Sequence, residues 1–213
     1  LAPRVTELVR KVVTAHKRII FNGDGYSPEW VEEAKRRGLL NLPTTVDALP
    51  RYLDQKNIEL FARHKIYTEA EMEARYETIM EEYVKTLHIE ALTMIGMVRQ
   101  EVLPAVSRYV QGLAEAVNAK RQAVSSLPCR AEAALIEKLS GQMDKAFELV
   151  EYLDEKLGNP RSRSVNILSA ATYYRDVLVP AMEDLRGAVD AMEMHVSAEC
   201  WPYPTYADLM FRV

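Results

Sequence analysis

Apolar residues recur along this chain at alternating steps of three and four over long stretches, and runs alternating at steps of two are almost absent. The pattern predicts an all-α protein. Thr68-Glu69-Ala70-Glu71 matches a capping box, and from there to about Ser125 only Gly96 and Pro104 interrupt a helical period, which predicts one long helix kinked at Pro104. A second helix is predicted after Pro128. It places Leu139, Met143, Ala146, Val150, Leu153 and Leu157 on one stripe before Gly158-Asn159-Pro160 ends it. A third stripe runs through Leu178, Met182, Leu185, Val189, Met192 and Val196. Such stripes are the seams of packed helices, and the short connections between them predict an up-down-up stack.

Shorter elements precede the stack. Pro3 suits a first helical turn, with Val5, Leu8, Val9, Val12 and Val13 following at helical spacing to about Ile20. Asn22-Gly23-Asp24-Gly25 forces a turn, Ser27-Pro28-Glu29 opens a second short helix, and Gly38 closes it after Lys35-Arg36-Arg37. Thr44-Thr45 starts a further segment made irregular by Pro50, and Asn57 is expected to cap the turn beyond it. Arg18-Ile19-Ile20-Phe21 is the one run with an extended pattern. The expected division is therefore a short-helix segment, 1–67, and a long-helix bundle with its tail, 68–213. Arg99 to Ala105 (RQEVLPA) echoes Arg175 to Ala181 (RDVLVPA), so matched proline kinks could lie side by side on parallel helices. Past the last helix, Pro202 and Pro204 predict an extended tail whose rings, Trp201, Tyr203, Tyr206 and Phe211, lie on a surface.

Composition narrows the function classes. At 213 residues, 48% hydrophobic and 27% charged, the chain can bury a full core and is not a disordered segment. A net charge of −4 leaves no basic footprint for nucleic acid. The most apolar run, Ala91 to Val98, is far short of a bilayer span, so no membrane partner is expected. Cys129 and Cys200 read as reduced intracellular thiols, which points to the cytoplasm. The chain opens on Leu1 without a Met, and this predicts a piece of a longer protein.

Chemistry-bearing residues do not assemble into a recognisable site. Asn22-Gly23-Asp24-Gly25 lacks the spacing and the Lys-Ser/Thr of a phosphate loop and reads as a turn. Tyr26 and Trp30 beside it read as packing before a ligand shelf. A di-metal carboxylate site in a bundle needs Glu-x-x-His pairs, and none of His16, His64, His88 or His195 has Glu three residues before it. In His88-Ile89-Glu90 and Glu193-Met194-His195 the partners diverge around the helix. Cys129 follows Pro128 near a helix start without an evident His partner, and reads as an ordinary thiol. Glu69, Glu71, Glu73, Glu81 and Glu82, with Arg75 and Lys85 between them, read as a solvated face. The Met residues at 94, 97, 143, 182, 192, 194 and 210 mostly read as core filler.

Two stretches carry a resemblance. His16-Lys17-Arg18-Ile19-Ile20-Phe21-Asn22-Gly23-Asp24-Gly25-Tyr26-Ser27, followed by Glu29-Trp30, and the closing Trp201-Pro202-Tyr203-Pro204-Thr205-Tyr206-Ala207-Asp208-Leu209-Met210-Phe211 resemble the C-terminal region of type III glutamine synthetases. Thr44 to Pro50, Leu60-Phe61, Tyr67 to Met72 and the run from Tyr83 to Met94 are similar to the same region, so the resemblance covers nearly the whole chain. It implies a parent enzyme that joins ammonia to glutamate with ATP through a γ-glutamyl phosphate, using divalent metal (Mg or Mn) held by carboxylates, in a ring-based homo-oligomer. The family's metal, nucleotide and phosphate motifs lie upstream of this chain. The resemblance therefore assigns no catalytic, cofactor-binding or metal-binding residue here. The expected role is structural, with the catalytic portion of the same enzyme and neighbouring subunits as partners. The alternatives are a free-standing helical adaptor binding through its aromatic tail, and an independent small metalloenzyme that the missing ligands disfavour.

Overall fold

The computed structural model describes residues 2–204 and 206–211, without the side chains of residues 2, 160, 163, 206 and 207. Two compact units divide between Ala48 and Leu49. No strand occurs among the described residues, and no described helix is long and apolar enough to cross a membrane.

The first unit contains α1 (Ala2–Ala15), a 3-10 turn over Lys17–Ile19, α2 (Pro28–Arg36) and α3 (Thr45–Ala48). Of the expected extended run, Arg18 and Ile19 lie in the 3-10 turn and Ile20 has strand-like backbone angles. Ser27 and Pro28 open α2, and Gly38 closes it at φ +72°, a conformation that glycine adopts without strain. There Leu39 N–H reaches back to the Ala34 carbonyl. Arg37 organises this unit. Its guanidinium donates to the carbonyls of Arg18 at 2.9 Å and Ile20 at 2.5 Å, pairs with Glu33, and lies over the rings of Phe21 and Trp30. Those rings stack at 4.5 Å. Arg36 and Arg37 together hold the Glu33 carboxyl down to about 2.

The second unit begins with a 3-10 turn over Leu49–Leu53 and α4 (Gln55–Arg63), both packed on α5 (Glu69–Met97). Asp54 occupies the cap position of α4, whereas Asn57, expected to cap, lies inside the helix and donates its side-chain amide to the Arg51 carbonyl at 2.7 Å. Tyr52, Phe61 and Tyr67 form a chain of ring contacts that ends under the Arg75 guanidinium of α5. These contacts hold the segment from Leu49 to Tyr67 on α5, within the second compact unit.

The capping box at Thr68 is formed in both directions. Glu71 N–H donates to Thr68 Oγ1 and Thr68 N–H to the Glu71 carboxylate. The long first helix then runs through α5, a π-helical turn over Val98–Val102, and α6 (Leu103–Ala123). The return helix is α7 (Arg130–Leu157). The third rod is α8 (Ile167–Tyr173), a π turn over Tyr174–Leu178, and α9 (Val179–Glu193).

Both proline kinks are thus π turns in matching register. Proline lacks an amide donor, and its ring crowds the carbonyl four residues earlier, Gln100 for Pro104 and Asp176 for Pro180. The amide just before each proline instead bonds five residues back, Leu103 to Val98 and Val179 to Tyr174. The two turns are staggered and not side by side. His88, well upstream of the first π turn, faces Tyr174, which opens the second. Arg99, in the first turn, is clamped to α7 through Glu151 at 2.6 Å and Asp154 at 2.8 Å.

The seams bury as patterned. Leu139, Ala146, Val150, Leu153 and Leu157 of α7 and Leu178, Leu185 and Met192 of the third rod are buried. One cluster joins Ala91, Ile95 and Val98 to Val150, Leu153, Tyr174 and Leu185, and a second joins Val102 and Val106 to Leu139, Ala146, Ala188 and Met192. Two polar groups finish the far end of α7. Tyr173 Oη donates to the Lys156 carbonyl, and the buried Ser162 hydroxyl bonds the Leu157 and Asn159 carbonyls. Replacing Leu153, which is fully buried, with Ala should lower unfolding stability by about 2–5 kcal/mol, against less than about 1 kcal/mol for Leu168→Ala on a part-exposed face. Denaturant midpoints of the two variants check this, and equal losses would mean the seam is not the core.

Candidate functional site

An open groove of about 640 Å³ lies between the first long helix and α9. Its floor is apolar, from Leu87, Met94, Val98 and Val102 on one side and Met182 and Val189 on the other. Glu90, Glu183, Asp190 and Glu193 edge it, with Arg186 the cation among them, 3.5 Å from Asp190. The groove exists because parallel helices meet along their seams and leave flanking faces open above the contact.

The tail closes one end. After α9 the chain turns through Ser197, whose carbonyl accepts from Cys200 and Trp201 amides, and Pro202 and Pro204 keep the next residues out of a helix. Trp201 and Tyr203 pack on the second core cluster and line the groove. Burial, and then the Glu101 carboxylate beside it, push the Tyr203 hydroxyl up to about 12. The expectation of an extended, surface-laid tail holds only this far. The chain then forms a short helix, α10 (Tyr206–Phe211), and Leu209, Met210 and Phe211 are 66%, 72% and 77% exposed. The Tyr206 ring lies outside the described residues.

The residues singled out from sequence are dispersed. At Asn22–Gly25, Asp24 bonds the Tyr26 amide and the Ser27 hydroxyl, so the turn closes on itself. A Cβ on Gly23 would stand 2.3 Å from the Phe21 ring, so glycine lets that ring reach Trp30. Trp30 packs as expected, whereas Tyr26 is fully exposed. Cys129 is buried at the cap of α7 with φ +42°, beside the Lys120–Glu132 ion pair, and Cys200 is exposed. His88 Nδ1 lies 2.9 Å from the buried Tyr174 hydroxyl, while Glu90 lies on the groove edge. The acidic residues of α5 are exposed, with Lys85 bonded to Glu81. Met192 is core, Met94, Met143 and Met182 are half-buried, and Met97, Met194 and Met210 are exposed. Among the described residues no three His, Cys, Asp or Glu side chains converge as a metal site would require. The Asn22–Gly25 turn spends its polar groups internally.

The family described as glutamine synthetase C-terminal domain matches residues 4–121. The chain belongs to that family. A glutamine synthetase of Butyrivibrio fibrisolvens is 34% identical over all of this chain and 30% of its own length. A type-3 glutamine synthetase of Dictyostelium discoideum is 31% identical over 96% of the chain and 28% of its own length. A glutamine synthetase of Bacteroides fragilis is 28% identical over 97% of the chain and 29% of its own length. The chain thus spans under a third of the curated relatives it matches, and it corresponds to the C-terminal region of the glutamine synthetase chain.

Two measurements probe the groove and tail. In a tyrosine absorbance titration, one phenol should ionise near pH 12 and disappear in Tyr203→Phe. Because the folded pKa lies above the unfolded value of about 10, this group's contribution to stability is complete below pH ~10 and is lost as pH rises towards 12. A single unresolved transition near 10 would contradict the burial of this hydroxyl. Separately, deleting residues 201–213 should lower the melting temperature, because Trp201 and Tyr203 leave the second cluster. Deleting only 205–213 should leave it unchanged, and a large drop there would show that the exposed end carries stability.

Proposed function

We propose that this chain is the C-terminal helical portion of a type III glutamine synthetase and braces that enzyme's assembly without performing its chemistry alone. One observation carries the reading: glutamine synthetases align with essentially all of the chain, which covers only 28–30% of their length. Residues 1–67 in this reading are the end of the catalytic fold, and 68–213 are the bundle and tail. The whole enzyme ligates ammonia to glutamate with ATP and divalent metal in the cytoplasm, as a homo-oligomer. Its catalytic portion and neighbouring subunits are this chain's partners.

The internal chemistry supports a bracing role. Polar groups that could act on a substrate are committed to local structure: Arg37 to backbone carbonyls, Arg99 to α7, and His88 to Tyr174. What the chain offers outward is shape, in a long three-rod stack with an aromatic tail.

Isothermal calorimetry of the isolated chain with ATP and Mg²⁺ should show no saturable heat, since phosphoryl transfer needs metal-holding carboxylates and no three His, Cys, Asp or Glu side chains converge among the described residues. The full-length enzyme should form glutamine. Micromolar ATP binding by the chain alone would overturn the assignment of chemistry elsewhere.

A further inference from the structure

The first unit cannot account for its own stability. Among its described side chains only Ala34 and Val46 are buried apolar residues. A segment under fifty residues long with so small a core does not hold together by itself. The exposed surface is concentrated on α1. Val5, Leu8, Val9, Val12 and Val13 share one face of this helix and are 46–61% exposed. A helix of 14 residues is marginal in water without a partner for such a face.

We propose that this face of α1 is the docking surface for the part of the glutamine synthetase chain that lies outside this match in the relatives, and that the surface it meets is an apolar strip edged by carboxylates. The proposal rests on the reading of the chain as a portion of that enzyme. The occupant follows from size and charge. About 70% of each relative lies outside the match, while the family match begins at residue 4 and so includes α1 in the domain. Arg4, Arg10 and Lys11 flank the stripe against Glu7 alone, and Lys17 and Arg18 follow. Pairing α1 with α1 of a second copy would set these cations against each other, over a single helix face well short of the ~1,000 Å² that a stable interface needs. An acidic-edged partner removes the repulsion.

The test is the double variant Leu8→Asp/Val12→Asp in two settings, the isolated chain and the full-length enzyme. In the isolated chain, both positions already face water, so the melting temperature should be unchanged and sedimentation should show a monomer before and after. In the full-length enzyme, the same change should lower the melting temperature by about 5 °C or more. Arg4→Glu/Lys11→Glu should lower it as well, whereas the conservative Leu8→Met should leave it unchanged. An unchanged full-length enzyme would overturn the proposal, as would self-association of the isolated chain that the double variant abolishes. Failure of the underlying reading would look different: the full-length protein would then form no glutamine even with α1 intact.

Discussion

Apolar surface that a helix carries must be covered, and this requirement is met very unequally along the chain. In the second unit each long helix presents one seam, and the seams close on one another so completely that Met80, Leu139, Ala146, Leu153, Leu178, Leu185 and Met192 are fully buried. Everything else in that unit is fitted around this contact. The prolines are accommodated by π turns that keep Val98, Val102, Tyr174 and Leu178 pointed inward, and Tyr174 reaches a polar partner in His88 because its ring is drawn into the seam. In the first unit the same requirement is left open on α1.

This contrast links packing to function. A bundle with its own core is suited, in the proposed reading, to hold other parts in place. A segment held by one arginine clasp and a ring pair is suited to be completed by something else. Arg37 gives Glu33, two carbonyls and two aromatic faces a common partner, which fixes local shape without supplying much burial. The family match running across both units, from residue 4 to 121, agrees with their belonging to one larger protein.

The seams were legible in the sequence because burial against helices imposes a period of 3.6, and the stops at Gly38 and Gly158-Asn159-Pro160 because their backbone chemistry is local. The capping box at Thr68 was legible for the same reason. The π turns were only half legible: proline announces a kink, but the turn type depends on which side chains the neighbouring helices must keep buried. The clasp at Arg37 was not legible, since its carbonyl partners, Arg18 and Ile20, lie far back in the chain. Asn57 lost its cap to Asp54, which stands one residue outside a helix that starts earlier than its apolar residues suggest. The acidic-edged groove was not legible, because its two walls are contributed by helices far apart in sequence.

The most direct measurement is residue-resolved amide hydrogen exchange of the isolated chain beside the full-length enzyme. The account predicts that amides around Ile95, Val150 and Leu185 exchange only through global unfolding in both. Amides of α1 should exchange freely in the isolated chain and become protected in the enzyme. Strong protection of α1 in the isolated chain, or none in the enzyme, would contradict the view of this chain as a self-sufficient brace joined to an incomplete docking segment.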